Sequence, residues 1–491
     1  MFAAFIAAMV VAAILTPLVR NLALRRGWLD HALSARKVHG RPVPRLGGVA
    51  IVIGFYVPLL ALLLANSEVG RRFWADRTNA IALLAGGLAI AVLGVWDDLR
   101  GMKAGLKFTI QFAVALFLFG MGARVTEITN PFGDPIQLGW LALPFTVLWI
   151  TGVINAMNLI DGLDGLAGGV ALTAISTTFV IAAWRGEPLM MLFAATLAGA
   201  VAGFLFYNFN PATIFMGDAG SMFLGFVLAA TAIMKNQKSS TAVAIVVPII
   251  ALGIPIADTF LAMVRRMMKG VPIFQADRAH IHHRLMELGL SHRQAVLVLY
   301  GASVALGVVA LGMSFVTTGL QAAGLLLGMS VVIFFALRRL GYLDLSRAQR
   351  LLETRRRNLD RRASVRRAGE ALRTAESVEE IWGIVRGASR ELGASGVALR
   401  LAGPRALAGS EPFEDGFEEA EGPLFRARYG LVAERPGEHH LELGFDDGRF
   451  SIDRDTEIAV ELLCEHVSGA FDRLDRLAEA RARGLLPAQG A

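Results

Sequence analysis

Long apolar runs recur along the first two thirds of the chain and are separated by short polar connections. About 20 apolar residues let a helix cross the ~30 Å hydrocarbon layer of a bilayer. The candidate runs lie near residues 1–19, 47–65, 79–96, 108–123, 138–154, 165–184, 189–206, 219–234, 241–264, 295–316 and 319–337. This pattern predicts an all-α polytopic membrane protein with about eleven transmembrane helices.

The pattern changes after residue 343. Residues 344–370 carry nine arginines in a helix-like run, which fits a solvated helical linker or an amphipathic collar on an anionic membrane surface. Residues 371–491 then read as a helix, three strands and a helix, an order that resembles a GAF-type sensor module. The sequence therefore predicts a membrane domain over 1–343, an arginine-rich helical linker over 344–370, and a small soluble α+β domain over 371–491 with an unidentified ligand or partner.

Composition and charge set the expected orientation. Hydrophobic residues make up 55% of the chain and its mean hydropathy is +0.53, which excludes an ordinary soluble protein. Arg20 follows the first apolar run and no basic residue precedes it, so we expect an uncleaved anchor with its N-terminus outside. The odd-numbered connections are then rich in Lys and Arg, which predicts that they and the C-terminus face the cytoplasm. The single cysteine, Cys464, excludes an internal disulfide framework.

Five polar segments fall at the cytoplasmic ends of the spans in this topology. They are RKVHGRPVPRLGG (36–48), VWDDLRGMK (95–103), NAMNLIDGLDG (155–165), YNFNPATIFMGDAGS (207–221) and KGVPIFQADRAHIHHRL (269–285). Polar and charged groups near the bilayer are costly and mark function by default. A transporter or lipid flippase, the alternative from another class, predicts charges near the bilayer midplane instead. The sequence therefore favours a site at the cytoplasmic membrane face.

Carboxylates and amides dominate two of these segments. Asn155, Asn158 and Asp161 recur every third residue, which places them on one side of a helical turn, and Asp164 follows. Asp218 stands where the next span begins, and a helix N-terminus beside an acid suits a metal ion and a phosphate together. Helix capping is the alternative for each of these residues. Hard oxygen ligands without cysteine indicate Mg²⁺ or Mn²⁺.

Two further clusters complete the candidate site. Asp97 and Asp98 close a span, although acids are unfavourable at a helix C-terminus, which indicates a functional role. His280, His282 and His283 lie between Arg278 and Arg284. This cluster fits a clamp for a diphosphate or nucleotide sugar, a zinc site, or plain surface. The clusters together predict Mg²⁺-dependent phosphoryl transfer from a nucleotide diphosphate to an acceptor dissolved in the membrane.

These motifs resemble one family. The segments DDLRG, NAMNLIDGLDGLAGG, FMGDAGS and AHIHHRL, with the early RKVHGRPVPRLGG, are similar to those of the polyprenyl-phosphate sugar-1-phosphate transferases, the MraY/WecA superfamily. The resemblance covers roughly residues 1–340. The HIHH form and the eleven predicted spans look like the WecA/TagO branch.

The resemblance implies an activity and an environment. Undecaprenyl phosphate would attack the sugar-linked phosphorus of a UDP-N-acetylhexosamine, typically UDP-GlcNAc, and UMP would leave. The product would initiate a cell-envelope polysaccharide at the cytoplasmic face of a bacterial inner membrane. Other UDP-hexosamine donors stay open, as does a sensor built on an inactive scaffold. A homodimer is expected by analogy, and no nucleic acid.

The resemblance also implies roles for individual residues. Asp218 would bind Mg²⁺ with help from Asn158, and Asp97 would act on the acceptor phosphate as base or nucleophile, with Asp98 beside it. Because a phosphate monoester is already largely dianionic at neutral pH, either aspartate could instead position the acceptor. The implied substrate-binding residues are Asn155, Asp161, Asp164, Asn208, Lys107, His280, His282, His283, Arg278, Lys37 and His39.

Overall fold

The structure is a computed structural model of the chain. It describes residues 1–30, 43–64, 70–71, 74, 77–128, 136–236, 246–269, 280–316, 318–342, 345–401, 413–417, 424–431, 439–448 and 451–482. The chain separates into two compact units, one of residues 1–264 and 274–344, the other of residues 265–273 and 345–491. The functional domain boundaries predicted from the sequence stay predictions.

Helices form almost all of the first unit. They are α1 (Phe2–Arg26), α2 (Gly47–Leu64), α3 (Arg77–Arg100), α4 (Ala104–Gly120), α5 (Ala142–Ile160), α6 (Leu166–Trp184), α7 (Pro188–Asn208), α8 (Gly217–Asn236), α9 (Val246–Ala251), α10 (Gly253–Lys269), α11 (Ile281–Glu287), α12 (His292–Ser314) and α13 (Gly319–Arg339). Two short antiparallel pairs accompany them, β1 (Leu29–Asp30) with β2 (Val43–Pro44) and β3 (Glu127–Ile128) with β4 (Ile136–Gln137). Local sequence sets individual ends: Ser291 and Gln294, for example, form a capping box at the start of α12.

The first unit is that of a multi-pass membrane protein. Among the described residues, eight helices are long and apolar enough to cross a bilayer. Two shorter apolar helices, Gly47–Leu62 and Ala104–Gly120, accompany them. The predicted total of eleven spans is not confirmed, and the orientation of the chain stays a prediction.

One predicted span is broken in the structure. The sequence predicts a single helix over 241–264, whereas the described part of this region forms α9 and α10 with a turn at Leu252 between them. Pro255 explains the break, because in a continuous helix its ring would clash with the carbonyl of Ala251 and its missing N–H would leave that carbonyl unpaired. The second helix therefore starts again just before the proline.

Helix α8 forms the centre of the first unit. It packs against α2, α3, α5 and α6, and 89% of Gly217–Met234 is buried. Phe223 and Phe226 on α8 are fully buried, and Phe223 meets Phe55 of α2 edge to face. The N-terminus of α8 is thereby held between the ends of several other helices, which is where the polar segments converge.

The second unit has its own hydrophobic core. Its helices are α14 (Leu345–Leu372), α15 (Val378–Glu391) and α16 (Arg454–Ala482). Its strands are β5 (Gly396–Arg400), β6 (Phe413–Asp415), β7 (Phe425–Gly430) and β8 (His440–Phe445), which form an antiparallel sheet in the order β6-β5-β8-β7. Strand β6 is additional to the three predicted strands. The GAF-like identity of this unit stays a prediction.

The arginine-rich run belongs partly to that core. Val365, Ala368 and Leu372 of α14 are buried with the apolar side chains of the sheet and the other two helices. Cys464 of α16 is also buried there. The C-terminal half of α14 is therefore part of the packed unit as well as a carrier of charge.

Candidate active site

Asp218 lies in the first turn of α8 and is contacted by side chains from two other helices. One of its carboxylate oxygens accepts a hydrogen bond of 2.9 Å from the side-chain amide of Asn158 on α5. The other oxygen accepts one of 2.8 Å from the Nζ of Lys107 on α4. The Asn158 amide also donates to Ser221 Oγ at 2.9 Å. Three helices thus orient one carboxylate.

Lys107 joins Asp218 to a second carboxylate. Its Nζ makes an ion pair with Asp97 at the C-terminal end of α3 as well as with Asp218. The Asp97 side chain is only 8% exposed, whereas those of Lys107 and Asp218 are about one quarter exposed. One ammonium group therefore lies between two carboxylates that are 121 residues apart in the chain.

Asp98 has a different environment from its neighbour. Its two oxygens accept the backbone N–H groups of Asp218 and Ala219, at 2.9 and 3.0 Å, and so cap the N-terminus of α8. Gly217 makes this possible, because a Cβ there would lie 2.5 Å from Asp98 Oδ2 and its φ of 70° disfavours other residues. Asp98 holds the backbone that carries Asp218.

The loop between α5 and α6 supplies the next two aspartates. Asp164 accepts hydrogen bonds from the Ala212 N–H and the Asn210 amide, at 2.9 and 3.0 Å. Its own N–H donates to Nε2 of His292 at 3.0 Å. Asp164 therefore fixes the loop to the segment before α8.

Asp161 lies on the same loop, and no described residue donates a hydrogen bond to its carboxylate. Burial, together with the negative charges of Asp218, Asp98 and Asp164, raises the pKa of Asp161 to about 8. The site thus concentrates negative charge beyond what its own lysine neutralises.

Two predicted substrate-binding residues make internal contacts. Asn208 is buried; its side-chain oxygen accepts from the Gly165 N–H at 3.1 Å and its amide donates to the Ile214 carbonyl at 2.9 Å. Asn155 donates to Gln111 of α4 at 2.6 Å and to the Thr151 carbonyl at 2.7 Å. Both side chains therefore brace the elements that carry the aspartates, and their predicted substrate contacts stay predictions.

The histidine cluster lies against the aspartate loop. The rings of His280 and His282 are parallel with centroids 5.7 Å apart, and His283 lies 4.3 Å from His282. A Cβ at Gly162 would come within 2.9 Å of His282 Nε2, so glycine allows this close approach. His282 is 2% exposed and its Nδ1 has no partner among the described residues. Burial, with the neighbouring histidines, lowers the pKa of His282 to about 3, which keeps its imidazole neutral.

Sequence reasoning missed the residue that holds this cluster. Asp258 of α10 accepts from the Ile281 N–H at 2.8 Å and lies 3.0 Å from Nδ1 of His280. Asp258 and His280 are both buried. Asp258 was hidden inside the predicted span 241–264, where a lone carboxylate in an apolar run was the available signal. His292, the acceptor for the Asp164 N–H, carried no such signal.

The donor set fits a magnesium ion. Asp97 and Asp218 bring two carboxylates to one cation, and Mg²⁺ is commonly bound through one or two carboxylates together with substrate phosphates. The residues that the structure describes include no group of three or more His, Cys, Asp or Glu arranged to hold a metal ion by protein side chains alone. Lys37, His39 and Arg278 lie outside the described residues.

Comparisons with known proteins match this part of the chain. Residues 80–236, which contain all five aspartates of the site, match the model of glycosyl transferase family 4. The chain is 43% identical over 298 residues to a probable undecaprenyl-phosphate N-acetylglucosaminyl 1-phosphate transferase of Bacillus subtilis (strain 168), covering 60% of this chain and 80% of the relative. It is 37% identical over 322 residues to the decaprenyl-phosphate N-acetylglucosaminephosphotransferase of Mycolicibacterium smegmatis, covering 60% and 76%.

A more distant relative is similar over the same region. The undecaprenyl-phosphate alpha-N-acetylglucosaminyl 1-phosphate transferase of Escherichia coli (strain K12) is 26% identical over 295 residues, which cover 57% of this chain and 75% of the relative. Each of these matches spans at most 60% of the present chain.

Proposed function

This chain belongs to glycosyl transferase family 4, in the MraY/WecA superfamily of polyprenyl-phosphate sugar-1-phosphate transferases, and from that premise we propose that it transfers N-acetylglucosamine 1-phosphate from UDP-GlcNAc to undecaprenyl phosphate. An oxygen of the acceptor phosphate bonds to the sugar-linked phosphorus, the P–O bond of the donor diphosphate breaks, and UMP leaves with its oxygen. The products are UMP and undecaprenyl diphosphate-GlcNAc in the membrane.

The observation that carries the proposal is that the carboxylates of Asp97 and Asp218 both pair with the ammonium group of Lys107. Two carboxylates that close on one ammonium group form a site that a divalent cation and a phosphate can enter together. It lies at the N-terminus of α8, where the helix dipole favours anions. Phosphoryl transfer needs this combination of positioning and charge neutralisation more than it needs covalent chemistry from the protein.

Each residue then has a role in this reaction. Asp218 and Asp97 would hold Mg²⁺, which supplies neutralisation of the donor diphosphate when bound. Asn158 orients Asp218, and Asp98 fixes the backbone beneath it. Lys107 is placed to move from the carboxylates to a substrate phosphate. The acceptor needs no general base, because a phosphate monoester with a second pKa near ~6 is largely dianionic at neutral pH.

The histidine side of the site suits the donor. Neutral His282 offers an unpartnered ring nitrogen beside the aspartate loop, and such a group can hydrogen-bond a sugar hydroxyl or a phosphate oxygen. Asp258 holds the neighbouring ring of His280 in place. The site would open at the cytoplasmic face of the inner membrane, and the product would start a cell-envelope polysaccharide.

Transfer of radiolabel into the lipid phase tests the proposal. Membranes containing the full chain are supplied with undecaprenyl phosphate and labelled UDP-GlcNAc, UDP-GalNAc or UDP-MurNAc-pentapeptide, with Mg²⁺, Mn²⁺ or EDTA. We expect labelled lipid and UMP in equal amounts from UDP-GlcNAc, and none in EDTA. Labelling from another donor alone would replace the proposed sugar. Labelling that persists in EDTA would remove the metal from the mechanism, and no labelling from any donor would contradict the proposal.

A further inference from the structure

Helix α12 contacts the loop that carries Asp161 and Asp164 through its first residue. His292 begins the helix, and its Nε2 accepts the N–H of Asp164 at 3.0 Å. Because a backbone N–H can only donate, Nε2 of His292 carries no proton, and the neutral ring has its proton on Nδ1. The contact therefore requires one particular tautomer of His292.

A second side chain of α12 reaches the same loop. The hydroxyl of Tyr300 donates to the Gly165 carbonyl at 2.6 Å, on the residue that follows Asp164. Tyr300 lies two turns beyond His292, a rise of ~12 Å along the helix, and long side chains on a helix point back toward its N-terminus. The tyrosine therefore spans this distance, and the two side chains hold adjacent residues of the loop.

Both side chains extend from a well-fixed element. Ser291 and Gln294 form the capping box that sets the start of α12, and hence the place of His292. Helix α12 packs along α6, where a Cβ at Gly169 would lie 2.0 Å from Cζ of Tyr300. The ring of Tyr300 thus lies directly against the backbone of α6, and α12 meets the loop as part of the helical core.

The two contacts differ in how easily the structure could replace them. The Gly165 carbonyl also accepts the N–H of Gly169 at 2.9 Å, so it keeps a partner when the Tyr300 hydroxyl is lost. Among the described residues, the Asp164 N–H has His292 as its one acceptor. A partly buried donor left without an acceptor costs more than the lost hydrogen bond alone. Removal of the His292 nitrogen should therefore have the larger effect.

The loop held by α12 carries a carboxylate that is available to a ligand. No described residue donates a hydrogen bond to the side chain of Asp161, three residues before Asp164. Gly162 of the same loop lies against the ring of His282, on the side of the site that suits the UDP-sugar. A shift of the loop at Asp164 would therefore move Asp161 relative to His282. Helix α12 itself lies outside residues 80–236, which match the family model.

We propose that His292 and Tyr300 are positioning residues for binding of the UDP-sugar. They hold the Asp164–Gly165 peptide in place, and this sets the direction of the Asp161 carboxylate. Neither side chain of α12 contacts the substrate itself. The assignment rests on the proposed function and concerns the UDP-sugar side of that site. The acceptor phosphate meets the side of α3 and α4, so its binding does not depend on α12.

Steady-state kinetics of two His292 variants tests the assignment. His292→Leu removes the accepting nitrogen, whereas His292→Gln keeps a side-chain oxygen near the position of Nε2. We expect the KM for UDP-GlcNAc to rise about tenfold in His292→Leu and to stay within about threefold of wild type in His292→Gln. The KM for undecaprenyl phosphate should not change in either variant. An unchanged KM for UDP-GlcNAc in His292→Leu, equal rises in both KM values, or a glutamine variant as defective as the leucine variant would each overturn the assignment.

Tyr300→Phe tests the second contact and has a matched control. Tyr56 of α2 also donates its hydroxyl to a backbone carbonyl, that of Leu84 on α3. We expect Tyr300→Phe to raise the KM for UDP-GlcNAc about threefold and Tyr56→Phe to leave it unchanged. The same KM for UDP-GlcNAc in these two variants would overturn the role of Tyr300.

Hydrogen exchange measured without substrates separates this assignment from the proposed function. In the detergent-solubilised full chain, peptides that cover residues 158–168 report on the Asp164 N–H. We expect exchange there to be about tenfold faster in His292→Leu than in wild type, and unchanged in His292→Gln and Tyr56→Phe. Equal exchange in wild type and His292→Leu would overturn the assignment. Faster exchange in His292→Leu, together with no sugar transfer by wild type, would support the positioning of the loop and contradict the proposed reaction.

Discussion

The two sides of the candidate active site balance negative charge in different ways. On the side of α3, α4 and α8, the carboxylates of Asp97 and Asp218 share the ammonium group of Lys107. On the loop side, Asp164 is balanced by the fixed N–H of Ala212 and by an amide. A flexible side chain can give way to a metal ion or a phosphate, whereas a backbone N–H cannot. Exchange of ligands is therefore expected at Asp97 and Asp218 rather than at Asp164.

Asp98 shows that this division does not follow the sequence. It is adjacent to Asp97, yet both its oxygens are used by backbone N–H groups at the start of α8. Asp98 therefore has the same structural role as Asp164, which also accepts a backbone N–H, although it is the sequence neighbour of Asp97. In the site, the carboxylates of Asp97 and Asp218 pair with Lys107. The carboxylates of Asp98 and Asp164 instead hold the backbone in place.

Asp218→Asn should have the largest effect on turnover, because it removes one of the two carboxylate charges, those of Asp97 and Asp218, that share Lys107. We expect turnover to fall by about 10²–10³-fold, the range seen when one preorganised electrostatic group is lost. Bound Mg²⁺, measured by isothermal titration of the detergent-solubilised chain, should weaken in parallel. Glu127→Gln, a matched change on the β3–β4 hairpin where Glu127 accepts from Gln137, serves as control. Normal turnover of Asp218→Asn at ordinary Mg²⁺ would refute the proposal that Asp218 and Asp97 hold the metal ion.

The variants Asp98→Asn and Asp97→Asn test whether the two adjacent aspartates differ in role. Asp98→Asn should destabilise the protein by about 1 kcal/mol, since an N-cap acceptor beside a helix dipole is lost, and turnover should fall through displacement of Asp218. Asp97→Asn should leave thermal stability nearly unchanged and raise the Mg²⁺ concentration needed for half-maximal rate about tenfold. Thermal unfolding and Mg²⁺ titration of both variants measure this. The same response in both variants would show that the two aspartates do not differ in role.

The sequence was sufficient to place the aspartates at one end of the helices. Apolar run length predicted most helices, and the polar segments between them do meet around α8. The partners of each carboxylate were not predictable. Asp98 and the N–H groups it accepts are 120 and 121 residues apart, and nothing local in VWDDLRG distinguishes Asp98 from Asp97. Which of two neighbours faces a helix end depends on helix rotation, and packing determines that rotation.

Two other differences have the same physical origin. The pairing of Asp258 with His280 joins α10 to the start of α11, and the apolar run alone predicted one straight span where the structure has α9 and α10. In α14, charge dominated the sequence pattern and concealed the apolar positions Val365, Ala368 and Leu372 that pack into the second unit. The composition of a segment reflects most of its residues, whereas its packing depends on the few apolar side chains that lie on one face of the helix.

Asp161 makes the stability of the protein depend on pH. Its pKa is raised to about 8, so the folded state favours the protonated form, and stability is lost as pH rises from the unfolded value towards and through the folded one. In EDTA, the melting temperature of wild type should fall between pH 6 and pH 9, and Asp161→Asn should reduce that fall by roughly 2–4 °C. Asp360→Asn, a change at an exposed position of α14, controls for general pH effects. Identical pH profiles for wild type and Asp161→Asn would contradict the proton at this position.

Removal of residues 344–491 should have the smallest effect on the reaction. Every described residue of the proposed site precedes residue 344, and the buried cores of the two units have no member in common. We expect kcat/KM for both substrates to stay within about twofold of wild type, a barrier change under ~0.5 kcal/mol. Leu443→Asp in the full chain, which places a charge in the core of the second unit, controls for effects of truncation on membrane insertion. A tenfold loss in both variants would mean that the second unit supports catalysis. A gain in both would mean that it restrains the transferase.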